Sequence, residues 1–251
     1  MRILLTNDDG IYAPGIEALA YALRSIGEVT VVAPDVEQSA VGHSITLAVP
    51  LRVREVRKRG ELFGYGVKGA PADCVKLALA ALCEQRPDVV VSGINFGANV
   101  GIDVFYSGTV AAALEAAFVG IPAVAASIAL SPEPDLEFAA KVVCDQVQAL
   151  PLGQAEAPLL NINVPALPAD EVKGVRLTRQ CMKAYADRYV RRSDPRGRDY
   201  FWLDGDLACD ETDTDTDVVA IRDGYVSVTP LKHDLTDPQA LATMKGKEET
   251  S

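Results

Sequence analysis

The chain has 251 residues, 49% hydrophobic and 24% charged, a globular composition that excludes a disordered chain. Its formal net charge of −11 speaks against a nucleic-acid polymer as partner, because backbone binding needs clustered Lys and Arg. A small anionic substrate stays open, provided that a metal or a helix N-terminus captures it locally.

Ile3 to Thr6 is an unbroken apolar or β-prone run, which reads as a buried strand. It stops at Asn7-Asp8-Asp9-Gly10, residues that favour turns. After Pro14, apolar residues at 16, 19, 20 and 23 recur at helical spacing, and Gly27 closes the helix. Glu28 to Pro34 is a second strand, ending in the polar run Asp35 to Ala40. Strand, helix, strand implies a parallel sheet with a right-handed crossover. Residues 44–67 break the rhythm: SITLAV, LRVREV and LFGYGV read as short strands, a hairpin insertion beside the main sheet. Pro71-Ala72-Asp73 opens a helix to about Glu84. Asp88 to Ser92 is the next buried strand, and it runs into a long Gly-rich loop. Ser107-Gly108-Thr109 opens an Ala-rich helix to Gly120. Ile121–Ile128, Leu136–Leu150 and Leu159–Val164 then read as strand, helix and strand.

From about Pro165 the character changes. VRLTRQ reads as a strand, Lys183 to Arg198 as an irregular Arg-rich segment, and Asp210 to Asp217 as a solvated acidic loop. VVAIRDGYVSVTPL reads as a hairpin turning at Asp223-Gly224, with no helix. The expected fold is α/β: a Rossmann-like, doubly wound, mostly parallel sheet in residues 1–165. Residues 166–251 form a β-rich extension. A lone hairpin is marginal by itself, so this extension is expected to serve oligomerisation. No run nears the ~20 apolar residues of a membrane span, and the N-terminal region does not read as a signal peptide. The five scattered cysteines (Cys74, Cys83, Cys144, Cys181, Cys209) lack CxxC and read as free thiols of a cytoplasmic protein, not as disulfides.

Ligands of open α/β sheets bind beyond the carboxyl ends of the strands. There the predicted strands deliver Asp8 and Asp9, Ser39, and Asn95. Asp-Asp-Gly is also ordinary turn chemistry, but the whole set is hard and oxygen-only, suited to Mg²⁺, Mn²⁺ or Ca²⁺. Ser107, Gly108 and Thr109 at a helix N-terminus make a seat for a phosphate, although a plain Ser N-cap has the same sequence. Metal and phosphate seat together point to phosphoryl chemistry.

TNDDG at 6–10, PD…QSA…GHSIT across 34–46, PADCVK at 71–76 and SGIN at 92–95 resemble the stationary-phase survival protein SurE family. So do YSGTVAAALE at 106–115, LNINVP at 160–165 and GYVSVTPL at 224–231. The resemblance covers nearly the whole chain in order. It implies a metal-dependent 5′(3′)-nucleotidase acting on nucleoside monophosphates, with polyphosphate as a further substrate class. It also implies one divalent ion per subunit and a homodimer or homotetramer that exchanges its C-terminal extension. The family's metal ligands carry over onto Asp8, Asp9, Ser39 and Asn95, and its phosphate turn onto Ser107, Gly108 and Thr109. The catalytic set is then Asp8, Asp9 and Asn95, with either aspartate as base toward water. One departure is Gly69-Ala70-Pro71, where the family commonly has Gly-Thr-Pro.

Further candidates are His43 as proton donor, Asn99 and Asp103 as lining, and Tyr106 as a base-stacking ring; each also fits ordinary loop or packing roles. A rival enzyme reading is a haloacid-dehalogenase-type phosphatase with an aspartyl phosphate, which wants DxD instead of adjacent aspartates. A non-catalytic nucleotide-binding module is the other rival, and no GxGxxG follows the first strand to support it.

Overall fold

The computed structural model describes residues 1–153, 157–183, 188–205 and 213–248. The first strand, β1 (Arg2–Thr6), is buried on both faces, as its unbroken apolar run requires. Its side chains divide between two cores, Ile3 and Leu5 facing one and Leu4 the other. Helix α1 (Pro14–Leu23), with proline in its first turn, returns the chain to β2 (Glu28–Pro34), parallel to β1. Strands β3 (Val53–Lys58) and β4 (Glu61–Val67) form a hairpin that turns at Arg59-Gly60, both at positive φ. Helix α2 (Pro71–Leu77), extended by a wider turn over Ala78–Leu82, leads to β5 (Val89–Phe96). Helix α3 (Gly108–Phe118), β6 (Ala123–Ile128), α4 (Leu136–Ala149) and β7 (Leu159–Val164) complete the alternation.

Beyond residue 166, β8 (Val175–Leu177) and β11 (Val226–Pro230) extend the same sheet. Between them lie β9 (Arg188–Ser193) and β10 (Asp199–Asp204), a separate antiparallel ribbon, and α5 (Asp217–Arg222); α6 (Pro238–Glu248) ends the described chain. The sheet order is β3-β4-β2-β1-β5-β6-β7-β11-β8. Helices α1 and α4 pack on one face, α2 and α3 on the other. The chain winds from β1 through β2 to β4, returns to β5, and winds the opposite way through β6 and β7. The reversal falls between β1 and β5, the point beyond whose carboxyl ends ligands of such sheets bind. No described helix is long and apolar enough to cross a membrane.

The structure corrects several expectations. Ser44–Val49 is not a strand; Thr46 is drawn instead onto Asp73, which accepts its N–H at 2.9 Å and its hydroxyl at 2.7 Å. The β3–β4 hairpin is not set beside the main sheet but joins it, because β4 pairs parallel with β2. The Gly-rich loop is shorter than expected, since β5 runs on to Phe96 and a tight helical turn covers Gly101–Phe105.

The expected C-terminal hairpin is a helix followed by a strand. Asp217 is buried and accepts N–H groups from Gly101 (2.8 Å), Cys181 (2.9 Å) and Val218 (2.9 Å), so tertiary bonding sets the start of α5 against the β-prone Val-Val-Ala-Ile. The Arg-rich segment is strand from Arg188, and its arginines pair within the ribbon, Arg188 with Asp204 and Arg191 with Asp199. Cys74, Cys83 and Cys144 are free thiols, whereas Cys181 is disulfide-bonded. Residues 184–187 of the Arg-rich segment, residues 210–212 of the acidic run, and Cys209 lie outside the described residues.

Candidate active site

The turn after β1 is tied by Asn7, whose Nδ2 donates to the Gly10 carbonyl at 3.0 Å while Oδ1 accepts the Gly10 N–H at 3.2 Å. Gly10 sits at φ +95°, and a Cβ there would stand 3.2 Å from the Val36 carbonyl carbon, so the turn is pressed against the segment after β2. Asp8 and Asp9 project from it. Asp8 is buried; its Oδ2 accepts the Thr109 N–H at 3.1 Å and its Oδ1 accepts the Thr109 hydroxyl. Burial raises its pKa even against these bonds. Asp9 reaches across to β5, where its Oδ2 accepts the Phe96 N–H at 3.3 Å. Burial, and then the charge of Asp8, push the Asp9 carboxyl from 3.8 up to about 6. Glu37 adds further negative charge beside both.

The remaining oxygen donors arrive on neighbouring elements. The Gln38 N–H donates to the Asp8 carbonyl at 2.8 Å, which holds the Ser39 segment against the turn. The Ser39 hydroxyl donates to Glu37. Asn95 lies in β5 just past a register slip between Ser92 and Asn95; its Nδ2 donates to the Gly97 carbonyl at 2.7 Å, leaving Oδ1 uncommitted. Two carboxylates that resist ionisation, an amide oxygen and a hydroxyl form a set that a hard divalent cation would relieve. No group of three or more His, Cys, Asp or Glu placed to hold a metal occurs among the described residues.

Ser107 caps α3, its Oγ accepting the Val110 N–H at 3.1 Å, so the plain capping role is real. The Ser107 O–H and the Gly108 N–H are both left to donate. A Cβ on Gly108 would lie 3.0 Å from the Cβ and Oδ2 of Asp8 and 3.2 Å from Pro71 Cγ. Glycine thus lets the positive end of α3 close directly on the carboxylate pair. The Thr109 donors expected for a phosphate are committed to Asp8.

Two weaker candidates are placed elsewhere. His43 Nε2 lies 2.8 Å from Glu115 Oε1 and its ring stacks on Phe118; Glu115 is about 9 Å, under two turns, along α3 from Thr109. Asn99 is pinned over the sheet: its N–H meets Asn163 (2.8 Å), its Nδ2 meets Ser127 (2.8 Å), and its carbonyl accepts from Asn161 (2.8 Å) and Asn163 (3.2 Å). It holds the loop that leads to Ser107. Sequence reasoning missed Asn7, Asp73 and Asp217 as positioning groups. Only Asn7, an Asx residue three before a glycine, carried a local signal.

The fold defines a doubly wound α/β protein, with an acidic pair facing a helix N-terminus at the topological switch point as its candidate ligand site. A family profile described as "Survival protein SurE" matches residues 3–187. The protein of Syntrophobacter fumaroxidans named 5′-nucleotidase SurE is 50% identical over 245 residues, covering 97% of this chain and 98% of its own. Its namesake in Desulforudis audaxviator is 50% identical over 252 residues, covering 98% and 96%. The crystal structure of the SurE protein from Aquifex aeolicus superposes with a TM-score of 0.85 at 42% identity, over 99% of this chain and 100% of that one. The chain belongs to the SurE family.

Proposed function

We propose that this protein is a metal-dependent phosphomonoesterase that hydrolyses nucleoside 5′-monophosphates, and 3′-monophosphates as well, to nucleoside and phosphate. The observation that carries this reading is the Asp8–Asp9 pair, Asp8 buried and Asp9 half-buried, with Asp8 bonded to the N-terminus of α3. Nucleotidase relatives named above support the substrate class.

Asp8, Asp9, Ser39 and Asn95 would hold one divalent ion, Mg²⁺, Mn²⁺ or Ca²⁺. Such an ion supplies charge against a phosphate oxygen and acidifies water. Asp8 is fixed by Thr109 and orients the site. Asp9 or Asp8 serves as the base toward the attacking water. Asn95 turns its free Oδ1 toward the same crevice in this reading. The Ser107 hydroxyl and Gly108 N–H donate to the phosphoryl oxygens as negative charge grows in the transition state, with the helix dipole behind them.

The exposed apolar residues of the β9–β10 ribbon, Tyr189, Phe201, Trp202 and Leu203, support an extension exchanged between subunits of a dimer or tetramer. A cytoplasmic location belongs to the same reading, as the site of its nucleotide substrates. Asp8→Asn tests the mechanism. Phosphate release should fall at least a thousandfold while the protein stays folded; undiminished release would refute the assignment.

A further inference from the structure

A second cleft, of about 490 Å³, opens beside the carboxylate site, with Gln38, Ser44, Arg52, Lys68 and Ala70 in its walls. Its chemistry is opposite to that of the whole molecule. The chain carries 35 acidic and 24 basic residues, yet two cations and no carboxylate line this cleft. Most cations elsewhere are engaged: Arg54 pairs with Asp35, Lys58 with Glu17, and Lys76 with Glu115. Among the described residues, neither the Arg52 guanidinium nor the Lys68 ammonium has an ion pair or side-chain hydrogen bond; the Lys68 N–H donates to the Arg52 carbonyl at 2.9 Å. That bond holds both residues at the mouth of the β3–β4 hairpin. The Ser44 hydroxyl and the Gln38 side-chain amide are likewise uncommitted.

Both walls run into the carboxylate site. Gln38 donates its N–H to the Asp8 carbonyl, and Ala70 precedes Pro71, which packs against Gly108. We propose that this cleft is an anion subsite for a second phosphate carried by the substrate. A nucleoside 3′,5′-bisphosphate is then taken in preference to the monophosphate. The inference rests on the phosphomonoesterase reading. One phosphate sits at Ser107–Gly108, and the other crosses to the exposed Arg52 and Lys68, which offer it charge-assisted hydrogen bonds.

The test compares kcat/KM for adenosine 5′-monophosphate and adenosine 3′,5′-bisphosphate, in the wild type and in Arg52→Ala/Lys68→Ala. Expected is an advantage of about tenfold for the bisphosphate, expressed in KM and eroded by salt. The double variant should lose that advantage and keep monophosphate turnover within about twofold, with an unchanged melting temperature. Wild-type turnover of the monophosphate with no gain for the bisphosphate overturns the subsite and leaves the phosphatase reading intact. A gain that survives in the double variant also overturns it. No turnover of either substrate removes the reading on which the subsite stands.

Discussion

Replacing Gly108 by alanine separates the stability of the α3 N-terminus from its function. Gly108 does not occupy the left-handed region, so alanine suits its backbone, and helix propensity favours alanine by up to about 1 kcal/mol. Against this, the new methyl group would stand 3.0 Å from the Cβ and Oδ2 of Asp8 and 3.2 Å from Pro71 Cγ. Packed neighbours would have to yield by a few tenths of an ångström, an overpacking cost of roughly 1–3 kcal/mol. The two terms leave a net loss of about 0–3 kcal/mol, a fall of at most about 12 °C in melting temperature for a chain of this size. Activity should suffer as well. The neighbour that yields is the Asp8 carboxylate, and the methyl group covers the approach to the Gly108 N–H. A 1 Å misplacement can cost about a hundredfold, so a shift of a few tenths of an ångström together with the covered N–H should cost about tenfold. Steady-state kinetics on a nucleoside monophosphate, beside calorimetry, reads both quantities. A kcat/KM within about threefold of wild type would refute the close approach of helix and carboxylate as a functional feature.

Three other outcomes follow from the same geometry. The Asp9 carboxyl is raised in the folded state, so the metal-free protein loses stability as pH rises from about 4 through 6. The rise corresponds to roughly 3 kcal/mol, which partial solvent contact reduces to about 1–2. Asp9→Asn should therefore melt higher than wild type in EDTA at pH 7.5 but not at pH 4, and equal melting at both would contradict the shift. Asp73→Asn should loosen the segment carrying Ser39, because Asp73 alone accepts both donors of Thr46; the metal concentration for half-maximal activity should rise about tenfold. Light scattering of Phe201→Asp/Trp202→Asp should show dissociation to monomers with little change in melting temperature, and a retained oligomer would exclude the ribbon as the interface.

The core elements were legible because β1, β5 and α3 each carry one unmixed local signal: continuous apolar runs for the strands and a Ser cap before an alanine-rich run. The placement of Asp8 and Asp9 was legible for the same reason, since they follow a run whose unbroken apolar character marks a buried strand. Legibility failed where long-range bonds decide. Asp217 makes a helix out of a β-prone run by accepting N–H groups from Gly101 and Cys181, and Asp73 holds Thr46 out of a strand. Neither partner is visible locally. The commitment of Thr109 to Asp8 was equally hidden, because it joins residues 101 positions apart.

The central claim is that the carboxylate pair and the α3 N-terminus together hydrolyse nucleoside monophosphates with the help of a divalent ion. Phosphate release from a panel of nucleoside 5′- and 3′-monophosphates, measured after EDTA treatment and again with Mg²⁺ or Mn²⁺ restored, tests it most directly. Release that vanishes with the chelator and returns with the ion is the predicted result. Folded protein that releases no phosphate under any ion, or that releases it equally well in EDTA, would contradict the account.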